Sequence, residues 1–133
     1  MNEVLTTCPY CGCGCNFYLL VNNGEITGVI PSREHPVSQG KLCVKGWNVY
    51  DFVNSPDRLL NPLIRKSGAL REVSWDEVLK KTAAKLKSII KNYGPDAVGF
   101  FSSAKCTNEE NYLFAKFARA VVGTNNIDHC ARL

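Results

Sequence analysis

The sequence predicts an α+β chain: a small β-rich, cysteine-bearing lobe followed by the incomplete start of an αβα domain. Three observations carry this. Short β-branched and aromatic runs fill the first part, apolar residues recur at helical spacing in the last, and the order there is helix, strand, helix, strand. The composition belongs to an ordinary globular protein, with 45% hydrophobic and 21% charged residues among 133. The net charge of +4 is spread along the chain, which gives no basis for nucleic-acid binding. No apolar run reaches the length of a membrane span, and "MNEVLTTCPY" has neither an export signal nor a twin arginine. A cytoplasmic location follows as the expectation, and there thiols stay reduced.

Taken in order, "EVLTTC" and "NFYLLVNNGEITGVI" read as strands, with Asn23-Gly24 as a two-residue hairpin turn. "PSREHPVSQGKLC" is a polar loop leading to Cys43, and residues 56–73 read as a connector with one late strand. Ser74-Trp75-Asp76-Glu77 is a capping box, with the Ser74 hydroxyl capping Glu77 and the Glu77 carboxylate reaching back. The stripe Trp75, Leu79, Ala83, Leu86 and Ile90 follows, and Gly94-Pro95 ends that helix. "AVGFF" reads as a buried strand. Thr107 and Glu110 form a second capping box that opens a helix running to Gly123, and the chain then enters another strand towards "HCARL". The expected organisation is residues 1–55 as a cluster-binding lobe, 56–73 as connector and 74–133 as the start of an α/β domain.

Seven cysteines in a reducing compartment point to metal. Cys8, Cys11 and Cys15 are clustered, and Cys43 stands apart. Three close thiolates and one remote thiolate suit a [4Fe–4S] cluster, and Gly12 and Gly14 let the loop wrap tightly around it. Zinc is the rival, but only Cys8 and Cys11 form a knuckle, and His35 with Cys43 makes no standard second one. A disulfide framework would require secretion and would leave one cysteine unpaired. Cys13 is then a bystander, Cys106 and Cys130 read as packing residues, and the neighbours His129 and Cys130 face opposite ways on a strand.

With "TTCPYCGCGC", "GKLCVKGW", "SWDEVL" and "YGPDAVGFFSSAKCTNEENYLFAKFARAVVGTNNIDHCARL" in place, the sequence resembles the N-terminal part of molybdenum- or tungsten-dependent formate dehydrogenase catalytic subunits. "TNEENY" and "GTNNIDHCARL" favour these over nitrate reductases or formylmethanofuran dehydrogenases. The resemblance implies a formate dehydrogenase/DMSO reductase-like fold and a [4Fe–4S] cluster on Cys8, Cys11, Cys15 and Cys43. It also implies a molybdenum or tungsten bis(molybdopterin guanine dinucleotide) cofactor, with Lys45 passing electrons between pterin and cluster. The "SSAKCTNEENY" segment would lie near the pterin, and its helix start would suit an anion. Formate would be the substrate, and an electron-accepting subunit or carrier the partner. The metal ligand, cysteine or selenocysteine, is expected at position 134, so the 133 residues alone are expected to be inactive. A selenocysteine codon read as a stop is the expected reason for ending at Leu133. Another molybdopterin oxidoreductase and a zinc-binding interaction module are the alternatives.

Overall fold

The computed structural model describes residues 1–130. The chain divides into two compact units: residues 1–58 and 102–113, with 129 and 130, form the first, and residues 59–101 and 114–128 form the second.

In the first unit, strands β1 (Asn2–Thr7), β2 (Asn16–Asn22) and β3 (Glu25–Pro31) make an antiparallel sheet in that order. Asn23 and Gly24 both take positive φ, 49° and 86°, as a type I′ hairpin turn requires. That turn sets the pairing of Asn22 with Glu25 and Val21 with Ile26. The other connection, between β1 and β2, is the cysteine loop at residues 8–15. Two short helices, α1 (Val44–Trp47) and α2 (Val49–Asn54), follow a tight polar loop and pack against β3. Phe17, on the central strand, is 1% exposed and forms the core with Cys8 and Val49.

In the second unit, the expected connector contains a hairpin of its own: β4 (Leu63–Lys66) pairs with β5 (Ala69–Glu72). Ser67 and Gly68 repeat the doubly positive φ, at 50° and 83°. Helix α3 (Trp75–Tyr93) starts as read, with the Glu77 N–H donating to Ser74 Oγ at 3.2 Å. The Glu77 carboxylate, expected to reach back, lies 2.7 Å from Lys66 Nζ. A cation offers that side chain a charge-assisted partner in place of a neutral amide. Gly94 ends the helix at φ 83°, ψ 166°, a conformation open essentially to glycine alone.

The apolar stripe of α3 divides in two. Leu86, Ile89 and Ile90 pack on the core of Val98, Phe100, Ala118 and Val122, whereas Trp75 and Leu79 are exposed. The strand read from "AVGFF" also shifts: Pro95–Ala97 is a 3₁₀ turn, and β6 is Phe100–Ser103. Phe100 is buried and Phe101 exposed, because successive strand residues face opposite ways and only one face is covered. Helix α4 (Asn108–Lys116) continues as a π-helix over Phe117–Val122. It stops where Gly123 adopts the left-handed conformation and donates to the Ala118 carbonyl at 2.9 Å. Strand β7 (Ile127–Cys130) lies beside β6.

Between them, the polar residues of "GTNNID" do structural work. Buried Thr124 donates to Asp96 Oδ1 at 2.7 Å and accepts the Asn126 N–H at 3.1 Å, and the Asn126 amide donates to the Asp96 carbonyl at 2.8 Å. Residues 94–98 and 123–127 are thereby locked into one turn assembly. Among the described residues, no helix is long and apolar enough to cross a membrane.

Candidate iron–sulfur centre

The loop bearing the clustered cysteines is a strand connection closed at its base. The Cys8 N–H donates to the Cys15 carbonyl at 2.8 Å, directly beyond the last β1–β2 pair, Thr7 with Asn16. A second bond, Gly14 N–H to the Cys11 carbonyl, tightens the tip, and Gly14 takes φ 59° there. The result is a small ring of backbone with Cys8 buried, Cys11 and Cys15 half-buried and Cys13 exposed.

Cys43 comes from a separate stretch of the chain, at the end of the loop that follows β3. Its loop is tied to β2 by the Ser32 N–H donating to the Asn16 carbonyl, and folded on itself by the Gly40 N–H to the Ser32 carbonyl and the Lys41 N–H to the Ser38 carbonyl. His35 Nδ1 lies 2.9 Å from Ser38 Oγ and accepts the Ser38 N–H at 3.1 Å. The imidazole considered as a zinc donor therefore has one ring nitrogen engaged in holding this loop. Cys43 is the first residue before α1, in extended conformation, and the N–H groups of Gly46 and Lys45 point to its sulfur.

These environments separate the thiols. The Gly46 N–H, followed by those of Lys45 and Cys43 and the Lys45 charge, holds the Cys43 thiol below the usual range. Burial pushes Cys8 up, and the neighbouring thiols Cys11 and Cys43 add to that. Burial likewise raises Cys15, with Cys8, Cys11 and Cys43 contributing. Cys13 is raised mainly by its hydrogen bond to Cys11. Cys8, Cys11, Cys15 and Cys43 thus lie within electrostatic reach of one another, and none of them forms a disulfide.

Among the described residues, no three His, Cys, Asp or Glu side chains are close enough to hold a single metal ion. A tetrahedral zinc, with bonds of about 2.3 Å to sulfur, demands that closeness. A cubane puts four iron corners between its ligands, so it needs thiols that surround a space. A group of soft sulfur donors with backbone N–H groups aimed at them fits such a cluster in donor chemistry.

In iron-free protein, Cys43 is expected to alkylate first at neutral pH, because it is exposed and its lowered pKa keeps more of it as thiolate. Cys8 and Cys15, both raised, should follow only as the pH climbs past the ordinary thiol range, about 8.5. Timed iodoacetamide labelling with peptide mass spectrometry checks this; labelling of Cys8 as fast as Cys43 would contradict it.

Lys45 lies beside this group. It is half-buried, and its Nζ stands 5.5 Å from the centroid of the Tyr10 ring, between the first two cysteines in sequence. Tyr10 meets Phe52 edge-on at 5.9 Å, and Arg58 lies over Phe52. The cation–π contact holds the ammonium towards the loop.

The segment at 102–113 folds with this unit. Its second capping box is complete: the Thr107 N–H donates to Glu110 Oε2 at 2.8 Å, and the Glu110 N–H to Thr107 Oγ1 at 3.2 Å. Glu109 and Glu110 place negative charge at this helix start, which works against the anion site expected there. Asn111 ties the preceding loop by donating to the carbonyls of Ser103 and Cys106, and Ser102 bonds its Oδ1. Asn108 was not singled out by the sequence, yet it donates to the Gly12 carbonyl at 3.0 Å. His129 Nδ1 lies 3.0 Å from the Cys130 carbonyl, and Cys130 Sγ lies 3.4 Å from Ser103 Oγ. Ala131, Arg132 and Leu133, which would precede the metal ligand, lie outside the described residues.

Comparison with known proteins agrees with this geometry. Residues 1–55 match the molybdopterin oxidoreductase Fe4S4 domain, and residues 58–133 match the molybdopterin oxidoreductase family. The F420-dependent formate dehydrogenase 1 subunit alpha of Methanococcus maripaludis is 56% identical over 133 residues, which is all of this chain and 19% of that protein. The F420-dependent formate dehydrogenase subunit alpha of Methanocaldococcus jannaschii is 50% identical over 98% of this chain and 19% of its own length. Acetylene hydratase from Pelobacter acetylenicus has a similar structure, with a TM-score of 0.74 at 26% identity, over 94% of this chain and 18% of the hydratase. The chain therefore spans about a fifth of the curated relatives it matches. A closed cysteine loop, a fourth thiol at a helix start and two adjoining family matches agree: the chain belongs to the molybdopterin oxidoreductase family, and its first 55 residues are that family's Fe4S4 domain.

Proposed function

We propose that this chain is the iron–sulfur, electron-transfer segment of a formate dehydrogenase alpha subunit. The observation that carries the reading is the grouping of Cys8, Cys11, Cys15 and Cys43 beside a half-buried lysine. The choice of formate rests on relatives at 50–56% identity; a shared fold alone does not decide the reaction, as the likeness to a hydratase illustrates.

In this reading the four thiolates hold a [4Fe–4S] cluster and Cys13 does not ligate. When bound, a molybdenum or tungsten bis(molybdopterin guanine dinucleotide) supplies the two-electron chemistry on formate, and the cluster supplies one-electron transfer. The chain's own task is to shape that exit. Burial of Cys8 shields the cluster from water, backbone N–H groups at Cys43 offset thiolate charge, and Tyr10 holds Lys45 in place for passage between pterin and cluster. Residues 1–55 are then the cluster lobe, 56–73 a connector and 74–133 the beginning of the pterin domain. The reaction takes place in the cytoplasm, and electrons leave to a separate subunit or carrier.

In the complete subunit, purified anaerobically, formate should reduce both a viologen dye and the cluster; absence of any formate-dependent reduction overturns the substrate assignment. Lys45→Ala should slow cluster reduction by formate by roughly 10–100-fold, the usual range for a group just outside the ligands, with iron content unchanged. Wild-type transfer rates in that variant would remove Lys45 from the path.

A further inference from the structure

Asn108 stands 96 positions from Gly12 in sequence, and its side-chain amide donates to the Gly12 carbonyl at 3.0 Å. Gly12 lies between Cys11 and Cys13, in the loop that bears three of the four thiols. A β-carbon at Gly12 would run into the Asn108 amide, so the absence of a side chain is what lets the two approach. Asn108 is also free of other duty at its helix start, since Thr107 and Glu110 cap α4 between themselves. The turn before that helix is tied to it, because Asn111 donates to the carbonyls of Ser103 and Cys106.

We propose that Asn108 is a positioning residue for the cysteine loop. Its amide fixes the Gly12 peptide plane and so sets where Cys11 presents its sulfur and where the Cys13 N–H points. A trans peptide directs C=O and N–H oppositely, so anchoring one orients the other. N–H orientation around cluster sulfurs tunes the reduction potential, and a loop held at its tip releases iron slowly. The inference rests on the cluster reading above.

The test uses the anaerobically purified, cluster-loaded protein. Asn108→Ala should lose iron to a chelator roughly 10–100-fold faster than wild type and show a shifted midpoint potential by EPR-monitored titration. Its far-UV circular dichroism should not change, because the helix cap is intact. Gly12→Ala should speed iron loss to about the same extent, because the new methyl pushes the Asn108 amide aside and breaks its hydrogen bond to the Gly12 carbonyl. The pair Gly12→Ala with Asn108→Ala should lose iron no faster than Asn108→Ala alone, since removing the amide makes room for the methyl. Wild-type iron retention and potential in Asn108→Ala, or single effects that simply multiply in the pair, would overturn the proposal while leaving the cluster reading standing. Wild-type protein with zinc and no iron would overturn both.

Discussion

Replacing Cys15 by alanine is expected to abolish the iron–sulfur cluster while leaving the strand framework in place. Cys15 contributes in two separable ways. Its carbonyl accepts the Cys8 N–H and closes the loop, and its half-buried thiol shares electrostatic reach with Cys8, Cys11 and Cys43. Alanine keeps the first contribution and deletes the second. A cubane usually takes four thiolates, and no other cysteine replaces this one: Cys13 is exposed and its thiol is already hydrogen-bonded to Cys11. The broad brown absorbance and the EPR signal of the reduced state should both disappear, with far-UV circular dichroism retained. Cys13→Ala is the contrast and should keep both signals. A Cys15→Ala protein that stays brown would remove Cys15 from the ligand set.

Phe17→Ala is expected to cost about 3–5 kcal/mol, the range for emptying a large aromatic site in a core. Domains of this size are stable by only about 5–15 kcal/mol, so the first unit should approach unfolding. Phe17 occupies the central strand, paired with Thr6 on one side and Pro31 on the other, and is 1% exposed. It packs with Cys8 and Val49, so the cavity would open directly under a thiol of the centre. Reduced iron content should therefore accompany the lost stability, which ties sheet packing to cluster retention. Urea unfolding followed by circular dichroism measures the first effect and iron analysis the second. A loss below about 1 kcal/mol would mean the site relaxes and closes, against the packing described.

What the sequence made legible was governed by local rules. Asn23-Gly24 declares its turn because both positions need positive φ, and the hydroxyls of Ser74 and Thr107 declare their helices because each accepts an orphan N–H three residues on, although only at Thr107 does the glutamate reach back. The ligand spacing is local too, apart from Cys43, which the chemistry of a fourth thiolate supplied. The Ser67-Gly68 hairpin was missed because serine rarely accepts φ 50°, so two prolines nearby dominated the reading of that stretch. The exposed half of the α3 stripe was missed because periodicity shows which residues share a face, and packing alone decides whether that face is covered.

Two features had almost no sequence signal. The assignment of residues 102–113 to the first compact unit is a tertiary property, and the hydrogen bond from Asn108 to Gly12 follows from it. Read in sequence, Asn108 is an ordinary polar residue in the first turn of a helix. Gly12 carried the only hint, since a glycine flanked by cysteines suggests that something approaches the loop closely. The similarity to formate dehydrogenase alpha subunits could name the family, but it could not reveal that contact.

The group held by Cys8, Cys11, Cys15 and Cys43 decides what this chain does. Iron, acid-labile sulfide and zinc measured together on anaerobically purified protein identify it most directly. About four irons and about four sulfides per chain, with no stoichiometric zinc, are expected. A colourless protein carrying about one zinc and no iron would contradict the cluster assignment.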